Sequence, residues 1–150
     1  MNISPSMYRR MMSLYPPYLG AGVSVDFIRQ DWKEVRVSMA LRWYNRNAVG
    51  THFGGSLYSM IDPHLMLMLM RVLGKDYIVW DKSAAIDFVK PGKSKVFSTL
   101  RITDDDVATI LANTQNGEKY LPEFEVQVKD VEGRLVAGVQ KQLYVRQKRA

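Results

Sequence analysis

Polar and apolar residues alternate along most of this chain, and one long stretch in its first half breaks the alternation. Residues 34–44 show the two-residue period most clearly. Val35, Val37, Met39, Leu41 and Trp43 share one face, and Glu34, Arg36, Ser38 and Arg42 the other, as in a half-buried strand. Residues 20–30 set Val23, Val25 and Phe27 against Ser24, Asp26 and Ile28, and polar residues 30–33 make a hairpin turn. Four more segments read the same way. Residues 81–90 carry Ala84, Ile86 and Phe88 on one face, and residues 94–103 alternate at Val96, Leu100 and Ile102. Residues 120–130 alternate at Phe124, Val126 and Val128, and residues 134–146 turn Leu135, Ala137, Val139, Leu143 and Val145 inward. Pro91-Gly92 is a turn dipeptide, its glycine supplying positive φ, and Gly133 marks another turn.

Three stretches follow the helical period instead. Residues 4–14 have Ser4 to cap, Pro5 at the first helical position, an apolar side of Met7, Met11, Met12 and Leu14, and Pro16-Pro17 as a stop. Asp104-Asp105-Asp106 resembles a metal site, but acids suit a helix N-terminus, and Val107, Ile110 and Leu111 follow at helical spacing. The longest stretch runs from Ser56 to Leu73, with Arg71 in its last turn and Gly74 just past it. Its segment from Leu65 to Met70 is apolar all round, so other structure must surround it. The order is helix, two strands, long helix, two strands, short helix, two strands. Strands that come in hairpins pair antiparallel. The chain therefore reads as one α+β domain over residues 1–150, six mostly antiparallel strands curling around one apolar helix.

Composition changes this picture little. The hydrophobic share is 47% and the charged share 24%, which suits an ordinary globular domain. A net charge of +6 permits acidic partners, but no nucleic-acid motif accompanies it. With no cysteine there is no disulfide, thiolate zinc ligand or thiol nucleophile. The N-terminus lacks a signal-peptide pattern, and Asp62, Pro63 and His64 leave the apolar run after them too short for a membrane span. A cytoplasmic protein is expected.

Candidate chemistry gathers where a polar loop enters the long helix. Gly54 and Gly55 let a ligand approach the backbone closely, and free N–H groups at a helix start can polarise a carbonyl oxygen. Asp62 is an acid inside an apolar helix, a candidate base. Asp62-Pro63 is equally a helix cap followed by proline at the first position, so the acid has a structural reading too. His64 reads as an interior or interface histidine. His52 either positions the loop or contacts substrate. No paired-histidine motif supports metal binding by His52, Asp62 and His64.

The run LRWYNRNAVGTHFGGSLYSMIDP, with the later VWDKSAAIDFVKPG, resembles the hotdog-fold acyl-CoA thioesterases over essentially the whole chain. The phenylacetate-pathway enzymes are the nearest well-known group, and an uncharacterised family within that superfamily is nearer still. The resemblance implies an antiparallel sheet wrapped around the central helix, dimers or tetramers, and an active site at the dimer interface. It also implies a coenzyme A thioester as substrate with no further cofactor. Asn47 matches the family's asparagine, Gly54 and Gly55 its glycines, and Asp62 its acid. Phe53 stands where the family has histidine, with His52 one residue earlier. On this basis Asp62 and Asn47 are the catalytic candidates, and His52, Phe53, Gly54 and Gly55 line the substrate site. Lys90, Lys93 and Lys95, around the Pro91-Gly92 turn, are candidates for the phosphates of coenzyme A or a solvated hairpin tip. A module that binds acyl-CoA without hydrolysing it is the other reading, and Phe53 favours it.

Overall fold

The computed structural model describes residues 3–149. Five α-helices and seven strands follow one another as α1 (Pro5–Ser13), α2 (Pro16–Ala21), β1 (Val23–Ile28), β2 (Glu34–Met39), α3 (Gly54–Ser59), α4 (His64–Leu73), β3 (Tyr77–Phe88), β4 (Val96–Arg101), α5 (Asp104–Asn113), β5 (Lys119–Tyr120), β6 (Glu123–Asp130) and β7 (Leu135–Gln147). The strands form one sheet in the order β1-β2-β4-β6-β7-β3, and β5 pairs with β7 off that path. Every pairing is antiparallel. The sheet has seven strands rather than the expected six because Leu121-Pro122 interrupts the fifth. Proline has no N–H to give a ladder. Its carbonyl still accepts from the Leu143 N–H at 3.0 Å, which keeps β5 and β6 in line along β7.

Side chains of the turns move several expected boundaries. β2 stops at Met39, short of residue 44, and Trp43 is 84% exposed. The buried Asn45 side chain causes this. Its Oδ1 accepts from the Arg42 N–H at 2.7 Å, and its Nδ2 donates to the Ala40 and Ala21 carbonyls. Those bonds turn the chain out of the ladder. In β1 the register shifts between Val25 and Phe27, a bulge that reverses the faces beyond it. Ile28, expected outside, is buried, and Phe27, expected inside, is exposed beneath the Arg36 guanidinium. Pro16-Pro17 do end α1, but they also open a second helix, α2, with proline at its first positions and Gly22 (φ 78°) at its end.

The long helix starts at Gly54, two residues earlier than expected, and is broken between α3 and α4. Met60 and Pro63 keep near-helical dihedrals. Pro63, however, has no N–H to donate back along the helix, so α4 begins afresh at His64. Met60, Ile61, Leu65, Met68 and Leu69 are buried with Val35, Val37, Leu100, Val139 and Leu143 of the sheet in one core. The helix is not enclosed on all sides within one chain: Met66 and Leu67 are half-buried and Met70 is 47% exposed.

At α5 the cap is Thr103. Its hydroxyl accepts from the Asp106 N–H at 3.0 Å, and Asp106 accepts from the Thr103 N–H at 2.7 Å, a complete capping box. The three aspartates thus occupy the helix's first turn. Among the described residues no helix is long and apolar enough to cross a membrane.

Candidate active site

The loop of residues 45–53 is built around its own side chains. Asn47 Oδ1 accepts from the N–H groups of Val49 (3.1 Å) and Thr51 (3.0 Å). Its Nδ2 donates to Thr51 Oγ1 at 2.9 Å and to the His52 carbonyl at 3.4 Å. Asn47 therefore spends its side chain on the loop within one chain. His52 is buried and fastens the loop to its neighbour: its N–H donates to the Gly92 carbonyl at 2.9 Å, and its Nε2 lies 2.8 Å from the Ser94 carbonyl. A carbonyl can only accept, so Nε2 carries the proton and Nδ1 is left without a partner among the described residues. Burial lowers the pKa of this imidazole. Gly92 does not adopt the positive φ expected of its turn. Its missing side chain makes room for His52 instead: a Cβ there would lie 3.0 Å from the imidazole Cδ2.

Gly54 and Gly55 open α3, and two aromatic rings use the space they leave. A Cβ on Gly54 would lie 2.9 Å from the Phe88 ring, and one on Gly55 would lie 2.7 Å from the Phe53 ring. The N–H groups of Ser56 and Leu57 fold back onto the Phe53 carbonyl, while those of Gly54 and Gly55 have no acceptor among the described residues. A pocket of about 400 Å³ lies against this turn, lined by Asn47, His52, Gly54, Leu57, Phe88 and Lys90 among others. Lys90 is tied to Asp130 at 2.5 Å. Lys93 and Lys95 are exposed at the same loop.

Asp62 sits in the turn between α3 and α4, in different company. Its Oδ1 accepts from the Tyr58 hydroxyl at 2.9 Å and from Lys141 Nζ at 3.2 Å. Its Oδ2 has no partner among the described residues, and the side chain is 50% exposed. No side chain caps α4, so the capping reading of Asp62 finds no hydrogen bond to support it. Lys141, on β7, is wholly buried. It also donates to the Asp62 backbone carbonyl and lies 3.1 Å from Asp81 Oδ1. Burial raises the Asp81 pKa, and the Lys141 charge offsets part of that rise. His64, the next turn on, is fully buried and shares a 2.6 Å hydrogen bond with the Tyr18 hydroxyl. Burial, and then the Lys141 charge, push its pKa down to about 3.

Tyr58, Lys141 and Asp81 are the members of this cluster that the sequence alone did not single out. For Lys141 the signal was present. Leu135, Ala137, Val139, Leu143 and Val145 form the inward phase of β7, and Lys141 falls on the same phase. A lysine in a run of inward apolar positions is a buried charge that needs a carboxylate. Asp81 gave no such signal, because it becomes a neighbour only through the pairing of β3 with β7.

The chain brings the expected residues together as two groups rather than one. Asn47, His52, Phe53, Gly54 and Gly55 lie at the start of α3, and Asp62 lies eight residues along. At a helical rise that is about 12 Å. No hydrogen bond joins the groups among the described residues.

The comparisons with known proteins agree with this architecture. A Pseudomonas aeruginosa protein of unknown function, described as a probable thioesterase, superposes with a TM-score of 0.83 at 17% identity, covering 98% of each chain. A Haemophilus influenzae thioesterase matches with a TM-score of 0.72 at 12% identity, over 98% of this chain and 93% of its own. Mouse thioesterase superfamily member 2 matches with a TM-score of 0.67 at 16% identity, over 96% and 98%. At these identities the likeness establishes the fold alone, which is the hotdog fold. No curated protein matches the chain by sequence. One family model does, over residues 6–145, and the chain accordingly belongs to the family described as Domain of unknown function (DUF4442).

Proposed function

We propose that this protein hydrolyses an acyl thioester, with coenzyme A as the carrier, at a site completed by a second copy of the chain. The observation that carries the reading is the state of Asp62. One carboxylate oxygen is held by Tyr58 and Lys141, while the other has no partner among the described residues on a side chain that is 50% exposed. A general base needs that arrangement, a fixed orientation and an accessible lone pair. In the proposed reaction Asp62 takes a proton from water, and the hydroxide adds to the thioester carbonyl. The oxyanion is met by the N–H groups near Gly54 and Gly55, with Asn47 orienting the reactants through the loop that its side chain holds in shape. Collapse then expels the thiolate. Direct attack by the Asp62 carboxylate, giving an anhydride that water opens, uses the same residues.

A second copy is invoked because Asp62 and the Gly54 turn lie apart in one chain. Its expected place is along β3, an edge strand of 12 residues that is mostly exposed. Phe53, Phe88, Val89 and Met70 are exposed as well and supply apolar surface to cover. A dimer, alone or paired into a tetramer, is expected, and light scattering that finds a monomer at working concentrations would remove this part of the reading.

Hydrolysis is tested with a panel of acyl-CoAs of several chain lengths plus an aryl-acetyl-CoA, following thiol release. Turnover of at least one member is the expected result. The Phe53 ring over Gly55 supports the second reading, a binding module. Binding of acyl-CoA without release of thiol from any member of the panel would establish that reading in place of the first.

A further inference from the structure

We infer that Lys141 is a positioning residue for Asp62, an inference that rests on the hydrolytic reading above. A lysine with no exposed side-chain surface is unusual, since taking an ammonium out of water is costly before its partners are counted. A methionine would fill the same place on the apolar inner face of β7 without that cost. Packing therefore does not account for the charge, but its partners do. Lys141 reaches up from the sheet to the break between α3 and α4 and grips Asp62 twice, at the backbone carbonyl and at Oδ1. The first contact fixes the turn, the second the carboxylate. With Tyr58 donating to the same oxygen, rotation about the side chain is restrained and Oδ2 is the oxygen left without a partner among the described residues. Asp81, 3.1 Å from Lys141, holds the ammonium from the β3 side and balances its charge. Being buried, Lys141 cannot touch substrate, so its effect passes through Asp62.

The inference separates stability from turnover. In Lys141→Met the apolar side chain suits the core, and Asp62 and Asp81 keep water at their exposed sides, 50% and 30% of their side-chain surface. The variant should melt at or near the wild-type temperature, keep its KM, and lose about 10- to 100-fold in kcat as the carboxylate drifts. In an Asp62→Asn background the same change should leave the residual kcat unaltered, because a residue acting through Asp62 has nothing left to position. Should Lys141→Met fail to fold with Asp81 unpaired, Lys141→Met/Asp81→Asn takes its place in both comparisons. A lowered melting temperature with unchanged kcat would make Lys141 a structural lysine and overturn the inference while hydrolysis stands. A further loss of kcat in the Asp62→Asn background would overturn it too. A wild type that turns over no thioester fails the hydrolytic reading itself, and this inference with it.

Discussion

Asp62→Asn is expected to fold as the wild type does, to bind acyl-CoA, and to lose about 10²–10⁴-fold in kcat. The size follows from removing a general base while leaving shape and hydrogen-bonding reach in place. The fold survives for a structural reason. Lys141 would lose one carboxylate but keep Asp81 at 3.1 Å and the backbone carbonyl of residue 62. The Tyr58 hydroxyl can still donate, now to the amide oxygen. A purely structural Asp62 predicts no change in turnover, and its absence from the capping of α4 already leaves that role without a bond. Steady-state kinetics on the best substrate of the panel, with circular dichroism to check the fold, decide the matter. Full activity in the variant would exclude Asp62 as the base.

Loss of stability in mild acid is the second large effect. His64 is fully buried, and its pKa in the folded protein is about 3 against 6.5 for the free group. Below about pH 6.5 the unfolded chain therefore takes up a proton that the folded chain refuses. The stability that the neutral imidazole contributes is complete above 6.5 and is lost as pH falls towards 3, at up to about 1.4 kcal/mol per pH unit. His52, also lowered by burial, acts in the same direction. Asp81, whose pKa is raised, acts in the opposite direction. Glu34 and Asp130 are held below their ordinary range, so their losses come at lower pH. The chain has only two histidines, which makes the interval from pH 7 to 5 mainly theirs. Urea unfolding at several pH values should show a steep decline for wild type and a shallower one for His64→Gln. Equal slopes would contradict the burial of a neutral His64.

Much of the fold was legible because the two-residue period is a local property. The alternating runs around Val35, Val96, Val126 and Val139 all lie in strands, and most of their inward residues are buried, with Phe124 and Leu135 half-buried at the strand ends. The failures mark places where one residue overrides the pattern. Alternation continues through Leu41 and Trp43, but Asn45 captures the backbone and ends β2 at Met39. A bulge at Asp26 exchanges the faces of Phe27 and Ile28, and no local pattern announces it. The candidate site was legible as a set of residues and not as a geometry. Gly54, Gly55 and Asp62 stand out by residue type, yet the helix that joins them also holds them apart. The ionic cluster around Asp62 depends on the pairing of β3 with β7, which places Asp81 opposite Leu143, within reach of Lys141.

In the proposed reaction, catalysis joins Asp62 of one protomer to the Asn47–Gly54 loop of another. Mixing Asp62→Asn with Asn47→Ala under conditions of subunit exchange tests it directly. Each variant alone should be nearly inactive. In a mixed dimer one of the two sites receives both intact residues, so an equal mixture at random exchange should recover roughly a quarter of wild-type activity. A mixture that exchanges subunits and remains as inactive as its parents would contradict the shared site and return Asp62 and Asn47 to a single chain.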